Sequence, residues 1–150
     1  MSENQQFVVF SVNEQVYGVD ILKIKEVVSY QKITPLPNMK GFIKGIINLR
    51  GIILPVFDLR EKFRLPETAY TSFHSIIVME ISGRVMGVIV DEISDVVELF
   101  PEEVQAASSL PPGVQAEYIK GIGKKERELI VLLDVDGLLS PEELEILDST

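Results

Sequence analysis

The sequence predicts an all-β fold in which one unit is written twice. Its apolar segments are short, rich in Val and Ile, and bounded by Gly, Pro, Asn or Ser, the pattern of strands joined by tight turns. Residues 7–18 ("FVVFSVNEQVYG") match residues 76–87 ("IIVMEISGRVMG") at a constant offset of 69. "FIKGI" from Phe42 returns as "YIKGI" from Tyr118 at an offset of 76, and the same offset carries Asp58 onto Asp134. The slip between the two offsets falls in the loop separating these blocks.

The first unit (7–64) carries strands at 7–12, 15–19, 24–30, 43–50 and 52–57. The second (73–139) repeats them at 75–81, 84–90, 93–99, 118–123 and 128–134. Helix signals are few. Asp58 is placed to cap one or two turns over "LREKF", and Ser140-Pro141-Glu142-Glu143 is a capping box with Pro at the first helical position, predicting a short C-terminal helix. The cut between units lies in "LPETAYTS" (65–72), polar and Pro-containing. Five short strands suit a small closed or half-closed barrel, because closure removes exposed edges. Two such barrels side by side would share a Val/Ile/Leu core, with each unit able to lend its first strand to the other.

Length and charge narrow the function. At 150 residues and 46% hydrophobic the chain has the size of one domain that folds alone. With 23 acidic against 14 basic side chains and a net charge of -9, it repels phosphate backbones and anionic lipid surfaces, so nucleic acid is not an expected partner. The absence of cysteine removes disulfides, thiolate catalysis and thiolate zinc sites, and fits a cytosolic protein. No apolar run approaches the ~18 residues of a membrane span, and the polar start "MSENQQ" is no export signal.

Few residues offer chemistry. His74 in "SFHSII" has no orienting partner visible in the sequence and reads as a strand-end histidine without a special role. Asp91, Glu92 and Asp95 could serve as an acid/base or metal pair, but they sit between two strands where turn chemistry accounts for them. Asp134-Val135-Asp136-Gly137 has the start of a calcium loop without the remaining ligands, and the match of Asp134 to Asp58 favours a capping role in both units. "GIINLRG" (45–51) lacks the Lys-Ser/Thr pair and following helix of a phosphate loop. A small acidic β-barrel enzyme using Asp91, Asp95 or His74 is therefore the weakest alternative, and no cofactor is expected.

The turn "NLRG" stands apart. Asn48 and Gly51 are turn formers, and Arg50 is either a solvated turn residue or, with its long apolar stem and planar donor fork, a contact that reaches across an interface.

At these residues the sequence resembles the CheW family of chemotaxis adaptors. The likeness runs through "VYGVDILKIKEVV" (16–28), "PNMKGFIKGIINLRGIILPVFDLREKF" (37–63), "RVMGVIVDEISDVVEL" (84–99) and "EYIKGIGKKERELIVLLDVDGLL" (117–139). It implies a single CheW-like domain over 1–150, formed by two five-stranded Src-homology-3-like barrels with a shared hydrophobic core. It further implies a non-catalytic coupler that binds the regulatory domain of the histidine kinase CheA and the cytoplasmic tip of methyl-accepting chemoreceptors. Such a coupler is cytoplasmic, recruited to receptor arrays at the inner membrane without inserting into it. The resemblance places receptor contact on Arg50, with Ile24, Glu26 and Val27 of the facing strand beside it, in an apolar groove between the barrels. Glu26 is otherwise an ordinary solvated strand residue. Gly45, Gly51 and Asn48 take backbone or turn roles. The kinase-facing surface has no comparably sharp motif, and the loop at 105–116 carries no readable feature. The resemblance is expected to be to the stand-alone adaptors and not to the fused adaptors that carry a receiver-like domain. A paralogous adaptor serving another receptor–kinase pathway is the alternative.

Overall fold

The computed structural model describes residues 4–37, 42–112 and 116–148; the start of the N-terminal tail, the "NMKG" segment of the matching block and the middle of the 105–116 loop lie outside them. Eleven strands form two sheets, and their order shows how the repeat folds. The first unit gives β1 (Gln5–Val12), β2 (Gln15–Asp20), β3 (Ile24–Ser29), β4 (Ile43–Leu49) and β5 (Ile52–Asp58), then the short α1 (Leu59–Lys62). The second gives β6 (Ser75–Ile81), β7 (Arg84–Val90), β8 (Glu92–Leu99), β9 (Val104–Ala106), β10 (Ile119–Lys125) and β11 (Glu128–Leu133), then α2 (Pro141–Asp148). One sheet runs β3-β6-β7-β5-β4 and the other β8-β1-β2-β11-β10-β9.

Each sheet thus holds the first hairpin of one unit and the later strands of the other. Whole hairpins cross over, not single strands. The β1–β2 hairpin pairs antiparallel with β8 and parallel with β11, while β6–β7 pairs antiparallel with β3 and parallel with β5. Three hairpins have two-residue loops whose residues all take positive φ: Asn13-Glu14, Ser82-Gly83 and Arg50-Gly51. That is the turn whose twist matches the flanking strands.

The sixth strand, β9, falls in the loop that carries no periodic signal. Its counterpart in the five-stranded barrel is a single bridge, in which Thr34 and Ile46 exchange two backbone hydrogen bonds of 2.9 Å. Both closures need a glycine on the receiving strand. A Cβ on Gly45 would lie 2.3 Å from the Thr34 carbonyl oxygen, and one on Gly121 would lie 2.6 Å from that of Gln105. These glycines admit the closing backbone.

Strand alternation separates three cores. In β6, Ile76 and Val78 point into one barrel with Ile47, Leu54, Val56 and Ile89, while Ile77, Met79 and Ile81 point to the space between barrels. In β1, Phe7 and Val9 fill the other barrel with Leu99, Ile130 and Leu132, while Phe10 and Val12 face the shared core. Strands buried on both faces read as continuous apolar runs. The shared core is richer in ring and thioether packing than the expected Val/Ile/Leu, with Phe10, Phe57, Met79 and Met86 all fully buried.

Charged ties fasten the periphery to the barrels. Asp58 caps α1, its Oδ1 accepting from Arg60 N at 2.8 Å, and its Oδ2 accepts from the Tyr70 hydroxyl at 2.5 Å. The capping box of α2 forms: Glu143 N donates to Ser140 Oγ at 3.1 Å, and Ser140 N to Glu143 Oε1 at 2.8 Å. Glu143 also pairs with Lys62, and Asp148 with Arg84, so α2 is tied to α1 and to β7. Ser140→Ala is expected to lower unfolding free energy by about 1 kcal/mol, measurable as a shift of the urea midpoint at unchanged slope. Asp134 departs from the expectation. It precedes a 3-10 turn at Val135–Gly137 but makes no side-chain cap; its carbonyl accepts from Gly137 N instead. The cation and amide go to Asp136 instead, which accepts from Ser82 N at 2.8 Å and pairs with Lys23 at 3.0 Å.

Candidate functional site

The Arg50-Gly51 loop is built to hold an arginine out. Leu49 pairs with Ile52, Asn48 Oδ1 accepts from Gly51 N at 2.8 Å, and Arg50 and Gly51 take φ of 53° and 90°. Glycine meets the second value without a Cβ penalty, and the Asn48 side chain ties the loop back on itself. Arg50 is left with 69% of its side chain exposed, ion-paired to Glu26, itself 30% exposed. The Glu26 hydrogen bond and charge push the Arg50 pKa still further up, so the cation is permanent.

Beside this pair lies a mouth of about 240 Å³, lined by Glu26, Leu49, Ile52, Leu54, Val78 and Val85, with Lys25 and Arg50 at its rim. Ile52 is 64% exposed, so the apolar part of the mouth is open to solvent. The mouth belongs wholly to the five-stranded barrel. This departs from the expectation of a groove between the two barrels, because the lining comes from strands of one sheet only.

Of the four residues expected here, the structure brings two together. Arg50 and Glu26 meet at the mouth; Ile24 and Val27 do not join them. The cause is a bulge at Lys25. Ile24 pairs with Met79 and Glu26 with Val78, so the intervening residue is unpaired and successive odd and even positions change face. Ile24 packs on the shared core, and Val27, opposite Ile77, faces the same side and is 44% exposed. Glu26 and Val28 face the barrel interior side. The residues not anticipated, Ile52, Leu54, Val78 and Val85, come from β5, β6 and β7, whose adjacency rests on a parallel pairing that leaves no local trace. Leu49 also lines the mouth without having been anticipated, and only it and Ile52, which flank the Arg50-Gly51 loop, were open to inference from sequence.

Pseudo-symmetry gives the other barrel a mouth at the same place. It is larger, about 870 Å³, and lined by Val9, Asp95, Glu98, Lys125, Glu126 and Ile130 among others. Glu126 occupies the repeat position of Arg50 and shares its backbone, with φ of 56°. Asp95 occupies the position of Glu26. One mouth therefore has two cations, Lys25 and Arg50, against the single carboxylate of Glu26, while the other has four carboxylates, Asp95, Glu98, Glu126 and Glu128, against Lys125 and Arg127.

The carboxylates considered for catalysis do not share a site. Asp91 accepts from Arg60 through both oxygens, at 3.0 and 2.6 Å, and from Asn13 N at 2.8 Å. Burial pushes its pKa up, but the Arg60 guanidinium, the Asn13 amide and the charge of Arg60 outweigh that and hold it below the usual carboxylate range. Asp95 accepts from Val96 N and lines the second mouth, and Glu92 is exposed on β8. Among the described residues, no group of three His, Asp or Glu is arranged to hold a metal ion. None of the described helices is long and apolar enough to cross a membrane.

The molecule is a duplicated small β-barrel protein with an apolar mouth flanked by an ion pair on one barrel. The chain belongs to the CheW family: the CheW-like domain model matches residues 6–143. It is 37% identical to the chemotaxis protein CheW of Klebsiella aerogenes over 97% of this chain and 87% of that one. It is 35% identical to CheW of Bacillus subtilis over 92% and 88%. The crystal structure of the scaffolding protein TtCheW from Thermoanaerobacter tengcongensis superposes with a TM-score of 0.83 at 32% identity, covering 94% of this chain and 97% of that one. That likeness covers both Src-homology-3-like barrels.

Proposed function

We propose that this protein is a non-catalytic cytoplasmic adaptor that couples chemoreceptor cytoplasmic tips to the regulatory domain of the histidine kinase CheA, recruited to receptor arrays at the membrane. The observation that carries the reading is the cation-rimmed apolar mouth at Arg50. A helical receptor tip would lay its apolar stripe against Ile52, Leu54 and Val85 while an acidic side chain meets Arg50 and fixes register. The Glu26 pair does not block this. Ion pairs this exposed contribute little, being screened by solvent, so an incoming carboxylate displaces or shares Glu26 at little cost. Glu26→Gln is therefore expected to change receptor affinity by no more than about fivefold, read by titration calorimetry. A larger loss would make Glu26 a direct contact. The acidic mouth of the second barrel offers a separate face to a second partner, which is what coupling requires. Binding of the wild-type chain to a receptor signalling fragment tests the reading, and no binding at high micromolar concentration would contradict it.

A further inference from the structure

His74 is not the idle strand-end residue that its sequence context implies. It is 9% exposed, the only histidine of the chain, and its ring anchors the turn at 71–74. Thr71 N donates to His74 Nδ1 at 3.1 Å, His74 N donates to Thr71 O at 3.1 Å, and Phe73 N donates to Thr71 Oγ1 at 3.1 Å. An Nδ1 that accepts carries no proton, so the neutral ring holds its proton on Nε2. That Nε2 is buried without a hydrogen-bond partner and lies 3.7 Å from Asp91 Oδ1. The turn fixed in this way displays Phe73, 82% exposed.

We infer that His74 is a pH-sensitive latch: while neutral it holds the 71–74 turn and its exposed Phe73, and on protonation it releases the turn and closes on Asp91. The two ring nitrogens make the exchange. Protonated Nδ1 opposes the Thr71 amide, and Thr71 Oγ1, at 3.4 Å, is a distant acceptor that it would share with Phe73 N. Nε2, now part of a cation, is drawn to the carboxylate it stops short of. The groups facing the ring set the balance. Asp91 favours the cation, and Arg60, bound to the same carboxylate, opposes it. The Tyr70 and Tyr30 rings pack edge-on to the imidazole, and Tyr70 is held neutral by burial and by its hydrogen bond to Asp58.

Nuclear magnetic resonance on the isotope-labelled wild-type chain tests the latch directly, because a single histidine gives a single ring assignment. At pH 8 the ring should be the Nε2–H tautomer. As pH is lowered to 5, the Thr71 and Phe73 amide signals should move on the same curve as the ring nitrogens, and Thr71 amide exchange, corrected for intrinsic pH dependence, should quicken about fivefold for the loss of one hydrogen bond. In His74→Leu the two amides should lose that pH dependence, while a well-dispersed spectrum shows the fold retained. An Nδ1–H tautomer at pH 8, a ring that stays neutral to pH 5, or a ring that titrates while Thr71 and Phe73 stay still would each overturn the inference.

Discussion

Arg50→Asp is expected to weaken binding of a receptor signalling fragment at least about 30-fold, equivalent to ~2 kcal/mol, with no loss of folding stability. The binding loss comes from two sources. The cation proposed to meet an acidic receptor side chain is removed, and a carboxylate is set beside Glu26, where two like charges then flank the apolar mouth. The fold is spared because Arg50 touches solvent over most of its surface, and because Asp adopts the positive-φ backbone of this position more readily than Arg. Calorimetric titration with the fragment and a urea melt of the same preparation separate the two effects. Undiminished binding by a folded variant would remove Arg50 from the interface.

The second large effect is on the barrels themselves. Gly45→Ala is expected to lower unfolding free energy by about 2 kcal/mol, within the range for overpacking a tightly packed site. The new methyl would sit 2.3 Å from the Thr34 carbonyl oxygen, a backbone atom that cannot swing aside like a side-chain end. Relief requires opening the Thr34–Ile46 bridge that completes the barrel. Gly121→Ala, meeting Gln105 O at 2.6 Å, should do the same to the other barrel. Because Phe10, Phe57, Met79 and Leu133 join both barrels in one core, either lesion should move a single cooperative unfolding transition. A biphasic melt of Gly45→Ala, with one barrel lost before the other, would show that the shared core does not couple them.

The repeat, the "NLRG" turn and ten of the eleven strands described were legible because each rests on local chemistry: period-2 burial, turn formers such as Asn48 and Gly51, and side-chain caps such as Asp58 and Ser140. What escaped was set by contacts distant in sequence. Strand β9 has three residues and no alternation, and exists because Gly121 gives it room. The crossing of whole hairpins depends on the parallel pairings of Tyr17 with Val131 and Val56 with Gly87. At the site, the cation and the turn were readable, but a one-residue bulge at Lys25 turned Ile24 and Val27 away from Glu26. The burial of His74 was equally hidden, since its partners Thr71 and Asp91 look like ordinary loop residues in the sequence.

The claim that this chain couples two partners is tested most directly by co-sedimentation with a chemoreceptor cytoplasmic fragment and its cognate CheA, scoring the ternary complex and kinase autophosphorylation together. Weak individual contacts do not spoil the assay, because an array raises effective concentration. The account predicts that the wild-type chain brings both partners into one pellet and changes kinase activity, and that Arg50→Asp loses the receptor while still binding the kinase. A wild-type chain that sediments with neither partner, or that binds each but never both at once, would contradict it.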